Sequence, residues 1–333
     1  MTKVIDIHAH YLPQPFIEAV KEASAHYGGN VTSDSEGRVV IHIQGMDMGP
    51  IGKENFDLRR RLTDMDRAGI DMQILSLTVP MVYWAKPELA VTLARLVNDE
   101  YARAAKDYPG RFGGFATLPL QDIDKGIEEM ERAILDLGLQ GVYIGSNING
   151  KDFDHPELRP FFRRAVALNV PIFVHPAGVV GAERWGKHRL WNLLGNPFDT
   201  AIAMAKLILG GVLEELPDLT VCFAHGGGAF PYLKGRIDHG YKARRESTGE
   251  IPKLPSAYLE GNIYYDTILH DDAALAFLIA SVGSDKVLLG SDYPYAMGDL
   301  DPVPAIKRLS SLSPSESEKI LGGNAARLLN LDS

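Results

Sequence analysis

Five residues in this chain combine a metal-ligand or proton-transfer chemistry with a shared position, the end of a short apolar run. His8 and His10 close "VIDIHAH", His175 closes "PIFVHP", His225 closes "VCFAHGGG" and Asp292 closes "VLLGSDYP". His8 and His10 alternate along one strand, so both side chains point to the same side. Each residue taken singly has an ordinary reading: an incidental H-x-H pair, a strand-end histidine, a helix-capping aspartate. Taken together, His8, His10, His175 and Asp292 offer three neutral nitrogens and one carboxylate. That set suits Zn²⁺, and Mn²⁺ or Fe²⁺ is compatible by ligand type. His225 is expected to act as general acid/base beside the ion, the alternatives being a fifth ligand or a buried structural histidine. Asp6 is expected to hydrogen-bond backbone or to orient a ligand. Glycines 226–228 permit close backbone approach or a tight turn, and the turn is the favoured reading. A second ion would need a bridging carboxylate or a modified lysine near "GVYIGSN", and the nearest lysine, Lys151, lies beyond that run. One ion per chain is therefore expected.

These residues need a frame that delivers strand ends to one place. Eight β-like runs are legible: Val4–His8, Met72–Leu77, Phe112–Leu118, Val142–Gly145, Pro171–His175, Val221–His225, Ile263–Asp266 and Val287–Gly290. Between most of them lie helical patterns, such as Lys125–Gly138 with an apolar stripe and a terminal glycine. A second is "DHPELRPFFRRAVALN", with Asp154 as its expected N-cap. Strand–helix alternation over eight units predicts an α/β protein, a (β/α)8 TIM barrel, whose active site lies at the C-terminal ends of the strands. The whole of 1–333 reads as one barrel domain. Residues 11–60 form an insertion or cover after strand one, and residues 176–205 a second long connection after strand five.

The 333 residues are 45% hydrophobic and 23% charged, the composition of a globular chain with ample core material. A formal charge of −9 argues against general affinity for nucleic acid. The single cysteine, Cys222, sits in an apolar run and reads as a small buried hydrophobe, with no disulfide. No apolar stretch is long enough for a membrane span and no signal-peptide pattern is present, so a cytoplasmic enzyme is expected.

With these motifs collected, the chain resembles the amidohydrolase superfamily, and within it the aminocarboxymuconate semialdehyde decarboxylase branch. The carrying segments are "DIHAHYLP", "RLTDMDRAGIDMQILS", "YWAKPE", "FVHP", "VCFAHGGGAFPYLKGRIDHGY", "YYDTILHD" and "GSDYPYAMGDLDP". The resemblance implies that His8, His10, His175 and Asp292 hold zinc, that His225 is the acid/base, and that Asp292 shares in proton transfer. It implies that Trp191 belongs to a substrate loop. Arg236 would reach into a neighbouring subunit's site and grip a substrate carboxylate, which makes a homodimer. The family also has a carboxylate-gripping arginine in the first-loop insertion. That position falls near Gly49, where no arginine stands; Lys53 and Arg59 are the nearby cations, and lysine does not reproduce a bidentate grip.

The implied reaction is a metal-dependent, non-oxidative decarboxylation of a small unsaturated or aromatic acid. Most like the branch would be 2-amino-3-carboxymuconate 6-semialdehyde; the alternatives are a hydroxybenzoate- or hydroxynaphthoate-type acid, or hydrolysis of an amide, lactone or ester. Trp84 is expected either to wall the pocket or to pack in the core, and His188 is a weaker substrate contact. His26, His42 and His155 read as surface or loop histidines, and His239 and His270 have no chemical role assigned.

Overall fold

The computed structural model describes residues 3–43, 46–244 and 251–331. Eight parallel strands run in chain order around one sheet: β1 (Ile5–His10), β5 (Met72–Ser76), β6 (Phe112–Thr117), β7 (Gly141–Gly145), β8 (Ile172–His175), β9 (Val221–Phe223), β10 (Ile263–Asp266) and β11 (Val287–Leu288). The last of these is short, and the chain beyond it closes the ring against β1. Ile7 donates its N–H to the Leu289 carbonyl at 3.0 Å, Asp292 to His8 at 2.7 Å and His10 to Tyr293 at 2.7 Å. The expected (β/α)8 barrel is the architecture found. A parallel strand is covered on both faces, which is why runs such as "MQILS" are buried throughout.

Helices fill the outer ring. Pro87–Asp107 buries Ala90, Leu93, Ala94, Val97, Asn98, Tyr101 and Ala104, one face at helical spacing. Its buried Asn98 is not an error in that stripe: the side-chain amide binds the N–H and the carbonyl of Thr117, seating the helix on the end of β6. Leu58–Ala68 starts on Asp57, which accepts from the N–H groups of Arg59 and Arg60, and ends on a left-handed Gly69.

Residues 11–60 contain the helix Gln14–Ser24 and an antiparallel sheet of β2 (Asn30–Ser33), β3 (Val39–Ile43) and β4 (Met46–Ile51). Gly49 lies in β4 at φ +130°, where a Cβ would stand 2.6 Å from the Val39 carbonyl oxygen. That backbone position does not accept a side chain, so an arginine could not stand there. Two local expectations are corrected. His155, not Asp154, caps the turn at Pro156–Leu158, and Asp154 instead pairs with Lys206 at 3.1 Å. The Val221–His225 run leaves the strand conformation after Phe223.

Candidate metal centre and active site

The barrel brings His8 and His10 from β1, His175 from the end of β8 and Asp292 from beyond β11 to the C-terminal rim. One ligand atom of each lies within 4.8 Å of all the others, and all four residues are buried. His8 Nε2 and His10 Nε2 are 3.1 Å apart, and Asp292 Oδ1 is 3.4 Å from the first and 2.9 Å from the second. It is the only cluster of three or more such ligands among the described residues.

The opposite edge of each imidazole explains why these nitrogens converge. His8 Nδ1 donates to Asp266 Oδ2 at 2.7 Å, and His175 Nδ1 donates to the Pro176 carbonyl at 3.0 Å. Ser76 donates its hydroxyl to the Ala9 carbonyl, which leaves its oxygen to accept from His10 Nδ1 at 3.2 Å. With every Nδ1 carrying the proton, three Nε2 lone pairs and a carboxylate point at one another with no hydrogen between them. Without a cation that arrangement is repulsive. The donor set therefore fits a divalent ion, with outer partners fixing tautomer and ring orientation as metal sites require.

The electrostatics agree for two of the three rings. Burial and the neighbouring imidazoles push His10 down to about 4 and His175 well below its ordinary value, so both are neutral at pH 7. Burial also acts against a charged His8, but Asp266 and Asp292 outweigh it and raise the group above 6.5. Burial opposes the ionised Asp292, yet the surrounding histidines hold its carboxyl well below the usual range. Burial lifts Asp6 to about 6 despite hydrogen bonds from Ser291, the His8 N–H and Gln73. The orienting role expected of Asp6 is thus present in the geometry, exerted on the backbone of His8 rather than its ring.

His225 stands apart from the four. Its Nε2 is 3.9 Å from Asp292 Oδ2, the carboxylate oxygen turned away from His8 and His10, and its side chain is 17% exposed. Its Nδ1 is buried without a hydrogen-bond partner among the described residues. Among the described residues no hydrogen bond at Nδ1 fixes its tautomer, the reverse of the three fixed imidazoles. An unpinned, partly accessible ring can exchange a proton; it is poorly held as a ligand.

His225 (φ +54°) and Asp292 (φ +57°) both occupy left-handed backbone, a strain that collects at functional sites. After His225 all three glycines have positive φ, and at Gly228 a Cβ would lie 2.0 Å from the Pro197 carbonyl oxygen. The run is therefore both of the things weighed, a tight turn and a close approach. Gly226 also donates its N–H to Asp266 Oδ1 at 2.9 Å, so the residue that orients His8 also anchors the His225 turn.

The other candidates are more scattered. Arg236 is exposed on the helix Phe230–Ala243, with no polar partner among the described residues. Trp191 is 42% exposed at the start of the turn Trp191–Gly195. Lys53, Arg59, His188, His239 and His270 are exposed. Trp84 is buried, donates Nε1–H to the Met81 carbonyl and packs edge-on to Tyr27, which is core packing. His42 bridges Thr32 and Asp47 within the small sheet. Cys222 is buried, and burial pushes its thiol up, as the apolar reading requires.

Sequence reasoning missed Asp266, although it ends a strand in the same way as His175. It also missed Tyr143, whose ring lies 5.9 Å from His10 and 5.7 Å from His175, and Tyr295, 5.4 Å from His10.

Three imidazoles and a carboxylate at the C-terminal rim of a (β/α)8 barrel define a metal-dependent barrel enzyme. The sequence matches the Amidohydrolase family over residues 5–331, and the chain belongs to that family. It is 40% identical to a 2-amino-3-carboxymuconate-6-semialdehyde decarboxylase of Dictyostelium discoideum, over 98% of this chain and 92% of the relative. It is 32% identical to a gamma-resorcylate decarboxylase of Rhizobium sp. (strain MTP-10005), over 82% of this chain and 86% of that one. Among solved structures it is similar to a dihydroxybenzoic acid decarboxylase of Polaromonas sp. JS666 with bound manganese and the inhibitor 2-nitroresorcinol. That likeness has TM-score 0.84 at 26% identity and covers 100% of this chain and 98% of the other.

Proposed function

We propose that the protein is a metal-dependent, non-oxidative carboxy-lyase acting on a small unsaturated or aromatic acid, most like 2-amino-3-carboxymuconate 6-semialdehyde. The observation that carries this is the division of labour around Asp292. One carboxylate oxygen faces the convergent imidazoles, and the other faces an untethered His225. The likeness to decarboxylases over nearly the whole chain selects this reaction over hydrolysis.

His8, His10, His175 and Asp292 would hold the ion, zinc or manganese. When bound, it supplies a fixed positive charge that orients an oxygen of the acid and offsets negative charge on it. His225 delivers a proton to the carbon that carries the carboxylate, which interrupts the conjugation there. The C–C bond to the carboxylate then breaks, its electron pair returns to the conjugated system and CO₂ leaves, so one proton replaces one CO₂. Asp292 Oδ2, 3.9 Å from His225 Nε2, would pass a proton to or from that ring.

The reading includes a homodimer in the cytoplasm. Arg236 has no polar partner among the described residues, and Tyr232, one helical turn before it, is 81% exposed. Across from Tyr232 the half-exposed Phe277 ring lies 6.2 Å away, which makes an apolar surface beside the free arginine. In the dimer Arg236 grips a carboxylate in the neighbouring site with paired charge-assisted bonds, and Trp191 walls the pocket. No helix of the described residues is long and apolar enough to cross a membrane, and the lone cysteine needs no oxidising compartment.

The test is CO₂ release from aminocarboxymuconate semialdehyde and from 2,6-dihydroxybenzoate by protein of measured metal content. Release from either acid, with no water incorporated in the product, supports the carboxy-lyase and ranks the substrates. Metal-loaded protein that leaves both acids intact and hydrolyses a lactone or amide would overturn it.

A further inference from the structure

Arg61 is fully buried, yet no carboxylate lies within ion-pairing distance of it among the described residues. Burying a cation costs several kcal/mol, and an apolar side chain of similar size would fill the same space without that penalty. What the guanidinium touches gives the reason for its presence. Nη2 donates to the carbonyl of His10 and, at 3.4 Å, to that of Glu54 in the first-loop segment. Nη1 donates to Gln73 Oε1 at 3.0 Å. The guanidinium carbon lies 4.5 Å from the centre of the Tyr293 ring and 5.5 Å from that of Tyr11, so π-faces take the place of a counter-ion.

Three of these contacts, those to His10, Gln73 and Tyr293, lead to ligands of the proposed ion. The His10 carbonyl belongs to a ligand residue. Gln73 passes the contact on, donating Nε2–H to Asp6 Oδ2 at 2.8 Å. Asp6 accepts the N–H of His8 at 3.1 Å, and from Ser291 both the N–H at 3.0 Å and the hydroxyl at 2.5 Å. Ser291 precedes Asp292, and its hydroxyl oxygen accepts the N–H of Tyr293 at 3.1 Å. The left-handed Asp292 is thus clamped on both sides by groups that converge on one guanidinium. Such a backbone conformation persists only where its surroundings over-determine it.

We infer that Arg61 is the positioning residue of the metal centre: through His10, Gln73–Asp6 and Tyr293 it sets the spacing of His8, His10 and Asp292, and with it the affinity for the ion. Through the Glu54 carbonyl it also ties the first-loop segment to that spacing. The inference rests on the proposed metal site and concerns a residue that touches neither ion nor substrate. A fork with separate donors is needed because the acceptors lie in different directions, which a lysine ammonium cannot reproduce.

The test is the affinity for Mn²⁺ and Zn²⁺, measured by chelator competition on Arg61→Met, Arg61→Lys and Gln73→Leu, each first shown to be folded by near-ultraviolet circular dichroism. Removing an outer partner of this kind is expected to weaken binding about 10- to 100-fold in Arg61→Met. Arg61→Lys should fall between it and the parent, and Gln73→Leu should lose less, because the His10 contact survives. A residue that merely supported the fold would lower the melting temperature and leave the affinity of the folded fraction unchanged. Affinity within twofold of the parent in folded Arg61→Met overturns the inference. If that variant does not fold, Gln73→Leu decides by the same criterion. A parent protein that binds neither ion sinks the metal reading itself, an outcome distinct from metal bound equally well by parent and variants.

Discussion

The three imidazoles at the rim do not compete equally for protons, and that has a measurable consequence. Below its ordinary pKa each free histidine ligand contributes one proton that metal must displace, so three would give an affinity falling by about three log units per pH unit. Here His10 is held near 4 and His175 well below its ordinary value, whereas His8 is raised. Between about pH 5 and 6.5 only His8 is protonated, and the affinity should fall by about one log unit per pH unit. Competition titrations across that range would show it, and a slope near three would contradict the neutral assignment of His10 and His175. His225 is expected to behave differently from all three. His225→Ala should keep about one ion per chain, because the ring is not needed as a ligand, and lose about 10²- to 10⁴-fold in CO₂ release. Loss of the metal together with activity would return His225 to the ligand set.

At the level of elements, the turn after β9 is the piece on which the site hangs. It places His225 in left-handed backbone, gives Gly226 to Asp266, and lets Gly228 pass against the start of the helix Asn196–Leu209. Gly228→Ala would add a Cβ 2.0 Å from a backbone oxygen at φ +61°, with no flexible side chain to yield. A cost of about 1–3 kcal/mol or more is expected, read as a lower urea midpoint, along with reduced CO₂ release as His225 moves. The alternation of strands and helices made eight units legible, and all eight expected strands match to within two residues at either end. The Val221–His225 run was over-extended because its apolar residues continue after the backbone has turned. Hydropathy records what is buried, not which dihedral angles bury it.

For the molecule as a whole, two expectations follow from the proposed assembly and metal. Stripping the ion should lower the folding stability by about 2.7 kcal/mol relative to protein held at a hundred times the dissociation constant, seen as a fall in melting temperature that added metal reverses. The dimer is testable by mixing two impaired variants, Arg236→Ala and His225→Ala. Random exchange makes half the dimers mixed, and each mixed dimer rebuilds one site from His225 of one chain and Arg236 of the other. Activity should recover to about a quarter of the parent value in a two-fold assembly. No recovery after verified exchange, or a monomer by light scattering, would remove Arg236 from the site.

The sequence alone determined the ligand types, the H-x-H alternation and the strand ends that carry them, because burial and side-chain alternation are local and leave a local pattern. Its strand–helix rhythm then determined which end of the barrel those ligands share. Only the tertiary structure decided what lies behind them. Asp266 meets His8 across 258 residues of chain, and Arg61 reaches His10 across 51. A hydrogen bond between residues so far apart has no period and no fixed spacing, so nothing in the linear pattern marks it. The same holds for Gly49. Its residue type showed that no arginine was there, but only the 2.6 Å approach of the Val39 carbonyl shows that none could be.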